Sequence, residues 1–276
     1  MRKRSAILAA VCGLATLNAH AEQKPLWEFG MGVGALAFPD YRGSDSMQTY
    51  VVPLPYFVYR GPLLKADRDG ARSVFVENES VEINLSLNAT TPVRGRSEGA
   101  RHGMPNLKAT VELGPSIDWH VWRSPDRKYK FDVRVPIRAP FTIESPPRSI
   151  GFVVSPDLNL DIADPAGLKG WNLGLATGPV FASRKDHEYF YSVPARYATP
   201  SRPEYRAAGG YGGTAFIVAL SKRFPNYWVG GFVRYDTLEN ARFEASPLVE
   251  RKNAWFGGIG IAWMIRESKR TVETEE

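Results

Sequence analysis

The sequence predicts an all-β fold: a single transmembrane antiparallel β-barrel of about twelve strands. Three observations predict it. Apolar and polar residues alternate with a period of two through much of the chain, many alternating segments exceed ten residues, and aromatic residues gather near their ends. An extended strand sends successive side chains to opposite faces, so this pattern gives each segment one apolar and one polar face. Strands of soluble proteins usually run about five or six residues. Strands that cross a bilayer need about nine to eleven, with aromatic girdles at both interfaces.

The chain opens with Arg2, Lys3 and Arg4, followed by an apolar run from Ala6 to Leu17 and then Ala19-His20-Ala21. This is the pattern of a signal peptide for Sec export, cleaved between Ala21 and Glu22. The run is about half of the roughly 20 apolar residues that a membrane helix needs. Cys12, the one cysteine, follows the bulky Val11 and has too little apolar chain ahead of it for a lipoprotein signal. The chain from Glu22 onward therefore has no thiol, which excludes a disulfide framework, a Cys-based zinc site and a cysteine nucleophile.

Setting aside Arg2, Lys3 and Arg4 leaves 32 Lys and Arg against 29 Asp and Glu, close to balance. The cations are scattered, with no basic helix and no aromatic RNA-binding motif, which argues against nucleic acid as a partner. About 255 residues without a Pro/Ser linker fit one all-β domain. The expected organisation is a signal peptide over 1–21, a barrel over 22–265 and a charged periplasmic tail over 266–276.

The strands follow in order. WEFGMGVGALAF sets Trp27, Phe29, Met31 and Val33 against Glu28, Gly30, Gly32 and Gly34, and predicts a strand over 26–38. The next are placed at 49–59, 62–67 and 71–77. VEINLSLN, over 81–89, is the cleanest case: Val81, Ile83, Leu85 and Leu87 oppose Glu82, Asn84, Ser86 and Asn88. A segment over 107–122 precedes YKFDVRVPIR at 129–139, where Asp132 and Arg134 fall on the polar face. Strands over 150–162, 169–182, 209–222, 226–238 and 253–265 complete twelve. Glycines at even spacing in the first and last strands relieve crowding inside a narrow barrel.

Parity supports the count, because a bacterial barrel has an even number of strands, short periplasmic turns and longer external loops. Arg60-Gly61, Asn78-Glu79-Ser80, RSPDRK, ADPAGLK and Phe224-Pro225-Asn226 are the short connections. Those opposite are long, except between the third and fourth strands, where RDG suffices. If LLKAD and ARSVFVE form one bulged strand, the alternative count is ten.

Four motifs suggest chemistry and none has the surroundings that chemistry needs. Asp67-Arg68-Asp69-Gly70 lacks the further oxygen ligands and terminal Glu of a calcium loop. With Gly70 in a tight hairpin, Asp67, Asp69, Arg68 and Arg72 instead form a lumen or rim charge network with Asp132, Arg134, Arg234 and Asp236. Gly95-Arg96-Ser97-Glu98-Gly99 matches a nucleophile elbow but lies in a polar loop rather than between a buried strand and a helix. The Gly30-Met-Gly32-Val-Gly34 and Gly257-Gly258-Ile-Gly260 runs lack the helix of a dinucleotide fingerprint. His102, His120 and His187 are far apart in sequence, with no metal-binding spacing. No catalytic, cofactor-binding or metal-binding residue is assigned.

FPDYRGSD, PLPYFVYRGPLLKADRDGARS, ARHGMPNL, GWNLGLATGPVFASRKDHEYFYSV, RPEYRAAGGYGG and GGFVRYDTLENARFEASPLVE occur in that order. Together they closely resemble the MipA/OmpV family, the MltA-interacting protein family of outer-membrane proteins, over nearly the whole chain beyond the signal peptide. The resemblance implies a barrel in the outer membrane of a Gram-negative bacterium, bounded by lipid and inserted by the barrel assembly machinery. It implies a non-enzymatic scaffold that brings a lytic transglycosylase together with a bifunctional penicillin-binding protein. Two other functions stand beside it. Inward charges suit a narrow channel for small solutes or antibiotics, and His187 with Ser97 would suit an outer-membrane lipid hydrolase. Gly260, Trp263 and Ile265 fit a barrel assembly signal, although RESKRTVETEE follows them.

Overall fold

In the computed structural model the chain is an antiparallel β-barrel. The structure describes residues 22–61, 64–67, 70–78, 80–90 and 99–274. Its strands are β1 (Glu22–Pro25), β2 (Trp27–Pro39), β3 (Met47–Arg60), β4 (Leu64–Asp67), β5 (Gly70–Glu77), β6 (Val81–Thr90), β7 (Thr110–Arg123) and β8 (Tyr129–Thr142). There follow β9 (Val153–Val154), β10 (Asp157–Ala163), β11 (Trp171–Ala182), β12 (Gly210–Arg223), β13 (Tyr227–Thr237), β14 (Asn253–Glu267) and β15 (Thr271–Thr274). One α-helix, α1 (Arg184–Tyr191), interrupts the longest connection.

From β2 to β14 each strand pairs antiparallel with its sequence neighbours, except that β9 and β10 do not pair with each other. β14 returns to pair with β2 through Ile259↔Ala35 and Trp263↔Met31, and this closes the ring. β9 and β10 together occupy one position, since both lie between β8 and β11. The ring therefore has twelve strand positions, as the parity of the loops requires. The weakest seam is β3–β4, where only Tyr59↔Ala66 and Arg60↔Lys65 are in register. β4 and β5 are separate strands joined by a hairpin with Asp67 opposite Gly70, which settles the count in favour of twelve over ten.

Apart from the β3–β4 seam, where among the described residues only Tyr59 and Arg60 of β3 are in register with β4, the strands of the ring are paired on both sides, as a sheet that crosses a bilayer requires. The outer face carries what that crossing requires. Phe57, Trp119, Trp122, Tyr129 and Trp263 are exposed near the short-turn end, and Phe141, Phe152, Phe181 and Trp255 near the long-loop end. Between them lie exposed Val33, Leu113, Ile117, Ile137, Val218 and Ile259. Trp255 and Trp263 are eight residues apart on β14, ~26 Å of strand before tilt. Outer-membrane barrels carry an apolar band of about 25 Å between aromatic girdles.

The opposite face is polar and enclosed. Glu28, Glu82, Asn84, Ser116, Asp132, Asn159, Asp161 and Asp236 are all buried. Gly32 is where two strands approach closely: a Cβ there would collide with the backbone carbonyl of Ile261 on β14. A side chain at this position would push β2 away from the strand that closes the ring.

The segment expected as a charged tail from 266 is not free over its described length. β14 continues to Glu267, and β15 pairs with β1 through Lys24↔Val272 and Pro25↔Thr271. Hydrogen bonds from Leu26 N to Arg270 O and from Ser268 N to Trp27 O join this ribbon to the barrel at its short-turn end.

Candidate functional site

The long-loop end of the barrel is covered by a folded cap. It is built from the connections 40–46, 99–109, 143–152, 183–209 and 238–252. Tyr41, Leu107, Tyr191, Ala207, Leu238, Ala241 and Phe243 form a buried apolar cluster drawn from four of them. Met104, Val193 and Leu248 form a second. The Tyr191 and Phe243 rings stack with centroids 3.6 Å apart. Burial of each such side chain stabilises the cap by about 1.5 to 3 kcal/mol.

α1 forms because Ser183 caps it, its Oγ accepting from Asp186 N at 3.4 Å. The helix buries Asp186, His187 and Tyr191 and leaves Arg184 and Lys185 exposed.

Irregular loops leave backbone carbonyls without ladder partners, and such groups must be satisfied when buried. Here two guanidinium groups do it. Arg202 donates to the carbonyls of Ala100 (2.8 Å), His102 (2.7 Å) and Tyr197 (2.8 and 3.2 Å). Arg101 donates to those of Phe190 and Pro105. Tyr41 Oη reaches Leu248 O at 2.7 Å, Tyr191 Oη reaches Arg42 O at 3.0 Å, and Ser246 Oγ reaches Tyr191 O at 2.6 Å. These bonds join segments distant in sequence into one unit.

Beneath the cap, ion pairs line the inner face of the barrel. Asp236, on β13, is bound by Arg234 through two bonds of 2.7 and 2.9 Å, and Arg42 Nε lies 2.6 Å from its Oδ2. Arg234 also lies over the Phe256 ring. Further along, Asp132 Oδ1 is 2.9 Å from His120 Nδ1 and 2.7 Å from Arg123 Nη2. Asn84 Nδ2 donates to both Glu82 and Asp118, and Ser116 Oγ donates to Asp118 at 2.6 Å. Near the short-turn end Glu28 accepts from Arg60 at 2.9 Å and from Arg223 at 2.8 Å, while Arg60 also reaches Pro25 O.

The eight charges singled out in the sequence do not form a single cluster. Arg234 and Asp236 meet under the cap, and Asp132 belongs to the separate His120–Arg123 group. Arg134 stands in register opposite Asp118 on β7 and Asp157 on β10. Arg68 and Asp69, and the side chains of Asp67 and Arg72, lie outside the described residues, as do Ala21 and Ser97; Glu22 begins β1.

Sequence reasoning missed Arg42, Arg60 and Arg223 as partners of inward carboxylates. Glu28 was legible, since it alternates with apolar residues on β2. Its partners were not, because Arg60 and Arg223 end their strands and read as turn residues.

His187 and Asp186 lie where the cap meets the lumen. His187 Nδ1 is 2.7 Å from the carbonyl of Ala208, so Nδ1 carries the proton, and its ring packs edge-on against Phe243. Burial pulls its basicity below the ordinary imidazole value. Burial, reinforced by Glu112 and opposed by Arg42, pushes the Asp186 carboxyl up to about 7. His187 is thus a neutral, packed residue on a helix that fastens the cap. Among the described residues no group of three or more His, Cys, Asp or Glu could hold a metal ion.

A family model described as MltA-interacting protein MipA matches residues 31–265. No curated protein sequence gives a significant match. Two solved structures align over much of the chain. The toluene transporter TbuX of Ralstonia pickettii is 10% identical, with 90% of this chain and 71% of that one covered, at a TM-score of 0.24. The outer membrane protein OprG of Pseudomonas aeruginosa is 8% identical, with 87% and 94% covered, at 0.23. At these scores neither adds to the fold that the strand pairing itself defines.

Proposed function

Because the chain belongs to the MltA-interacting protein family, we propose that it is a non-enzymatic barrel of the outer membrane that holds murein enzymes together. In this reading a lytic transglycosylase and a bifunctional penicillin-binding protein dock at its periplasmic end, so that cleavage and synthesis of peptidoglycan occur side by side. The chain would reach that membrane by Sec export, with cleavage before Glu22 and insertion by the barrel assembly machinery.

The observation that carries this reading is closure of the barrel at its long-loop end. A cap with its own apolar core stands over that end, and carboxylate–guanidinium pairs line the inner wall below it. Such an interior spends its charges on one another. Function then falls to the short-turn end, where the β1–β15 ribbon extends from the barrel.

Affinity capture on the tagged protein from detergent extracts tests the proposal. Both enzyme classes should be recovered together, and recovery of neither would defeat it.

A further inference from the structure

On the rim of the cap, a groove of about 450 Å³ opens between α1 and the segment that follows β8. Arg148, Ser149, Ile150, Lys185, Glu188 and Tyr189 line it. Its two acidic neighbours are already engaged: Glu144 accepts from Arg148 Nε at 2.7 Å, and Glu188 accepts from Arg206 Nε at 2.9 Å. The Arg148 side chain is still 64% exposed. Lys185 is exposed and makes no hydrogen bond or ion pair among the described residues. The groove therefore presents one uncommitted ammonium and one largely exposed guanidinium.

Its position in the barrel says what kind of anion it meets. Ser149, in the wall, bridges to Phe141, an exposed residue of the upper aromatic girdle. Ile143, next to Glu144, and Phe152, two residues beyond Ile150, are also exposed apolar side chains. Phe152 is fixed against the start of α1, its N–H donating to Ser183 Oγ and its carbonyl accepting from Ser183 N. The cationic groove thus stands directly on the apolar belt.

We propose that this groove binds the phosphorylated headgroup of a membrane lipid, with Lys185 and Arg148 on the phosphate and the acyl chains along Phe141, Ile143 and Phe152. Phosphate suits the pair, since an ammonium acts as a point charge and a guanidinium supplies directed donors. The apolar residues select a lipid over a soluble phosphate. The proposal rests on the membrane-spanning reading of the barrel and not on any murein enzyme, so the two fail separately.

The test uses the full-length protein purified in detergent, with diphosphorylated lipid A, its dephosphorylated form and inorganic phosphate as probes, read by native mass spectrometry. Diphosphorylated lipid A should bind, and loss of its phosphates should weaken binding by about tenfold or more, the scale of one charge-assisted hydrogen bond. Lys185→Glu and Arg148→Glu should each weaken it similarly. Lys169→Glu, at the opposite end of the barrel, should not. Heat-dependent gel mobility confirms that each variant is folded. Equal binding of both lipid forms, displacement by millimolar inorganic phosphate, or undiminished binding by both groove variants would each overturn the proposal.

Discussion

Arg42 Nε lies 2.6 Å from Oδ2 of Asp236, whose side chain is fully buried. Arg42 belongs to the cap and Asp236 to β13, so this pair fastens one to the other. Tyr191 Oη donates to the carbonyl of Arg42, which ties the end of α1 into the same joint. Gly213, on β12, has a φ of +104°, and a Cβ there would lie 2.9 Å from Arg42 Nη2. The joint leaves no room for a side chain at that position.

Asp236→Asn should loosen the cap without unfolding the barrel. It leaves the Arg42 and Arg234 guanidinium groups without their carboxylate, and breaking one side of a buried pair costs about 3 to 5 kcal/mol. Trypsin should then cleave within 184–206 at least about tenfold faster than in the parent protein. Heat-dependent gel mobility should be retained. Unchanged proteolysis would mean that the pair does not hold the cap.

Two buried groups of α1 should give the cap opposing pH dependences. Asp186 has its carboxyl raised in the folded state from 3.8 to about 7. The folded form therefore binds more protons than the unfolded one in between, and stability falls as pH rises through that interval. His187 acts in the opposite sense. Its imidazole is lowered from 6.5 by burial, so its contribution is present above that value and lost as pH falls through the lowered one. The two effects oppose each other over the pH range they share, so α1 protection, measured by hydrogen exchange corrected for intrinsic rates, should vary little there in the parent protein. Asp186→Asn should unmask the His187 effect, so that exchange speeds up as pH falls below 6.5. No acid-side acceleration in Asp186→Asn beyond that of the parent would refute the pairing of effects.

The outward surface predicts a graded response to charge. Ile259, 71% exposed at mid-belt on β14, should cost about 2 to 4 kcal/mol when replaced by Arg, as such substitutions do at a bilayer midplane. Urea titration of the protein folded into vesicles measures this. Arg at Lys169, in a short turn, is the control and should cost almost nothing. Equal effects at the two positions would place the belt elsewhere.

A barrel that is capped, with its inner charges paired along the wall, should not conduct. Planar-bilayer recordings of the parent protein should show no unitary currents at moderate salt. Reproducible ohmic steps would favour the narrow-channel alternative.

Most of the barrel was legible in the sequence because period-two alternation is a local signal, and a membrane strand expresses it over a long run. Asn84 and Asp132, read as inward, are buried, while Leu87 and Ile137, on the opposite faces of their strands, are exposed. Even β4 and β5 were legible as a hairpin, from Gly70 and the shortness of the connection. The cap was not. Its core brings Tyr41 beside Tyr191 and Phe243, residues separated by long stretches of chain with no periodicity to betray their meeting. The same holds for Arg42 and Asp236. Alternation says which way an inward charge points, whereas its partner depends on register and closure. His187, which in sequence suits hydrolysis together with Ser97, is buried against Phe243 and tied to Ala208, while Ser97 lies outside the described residues.

The central claim, that this barrel organises enzymes and performs no chemistry of its own, is tested most directly by reconstitution. The purified protein would be mixed in detergent with a lytic transglycosylase and a bifunctional penicillin-binding protein and examined by sedimentation velocity. The account predicts one ternary complex that the two enzymes do not form without the barrel. Failure of either enzyme to bind, or mutual exclusion of the two, would contradict it.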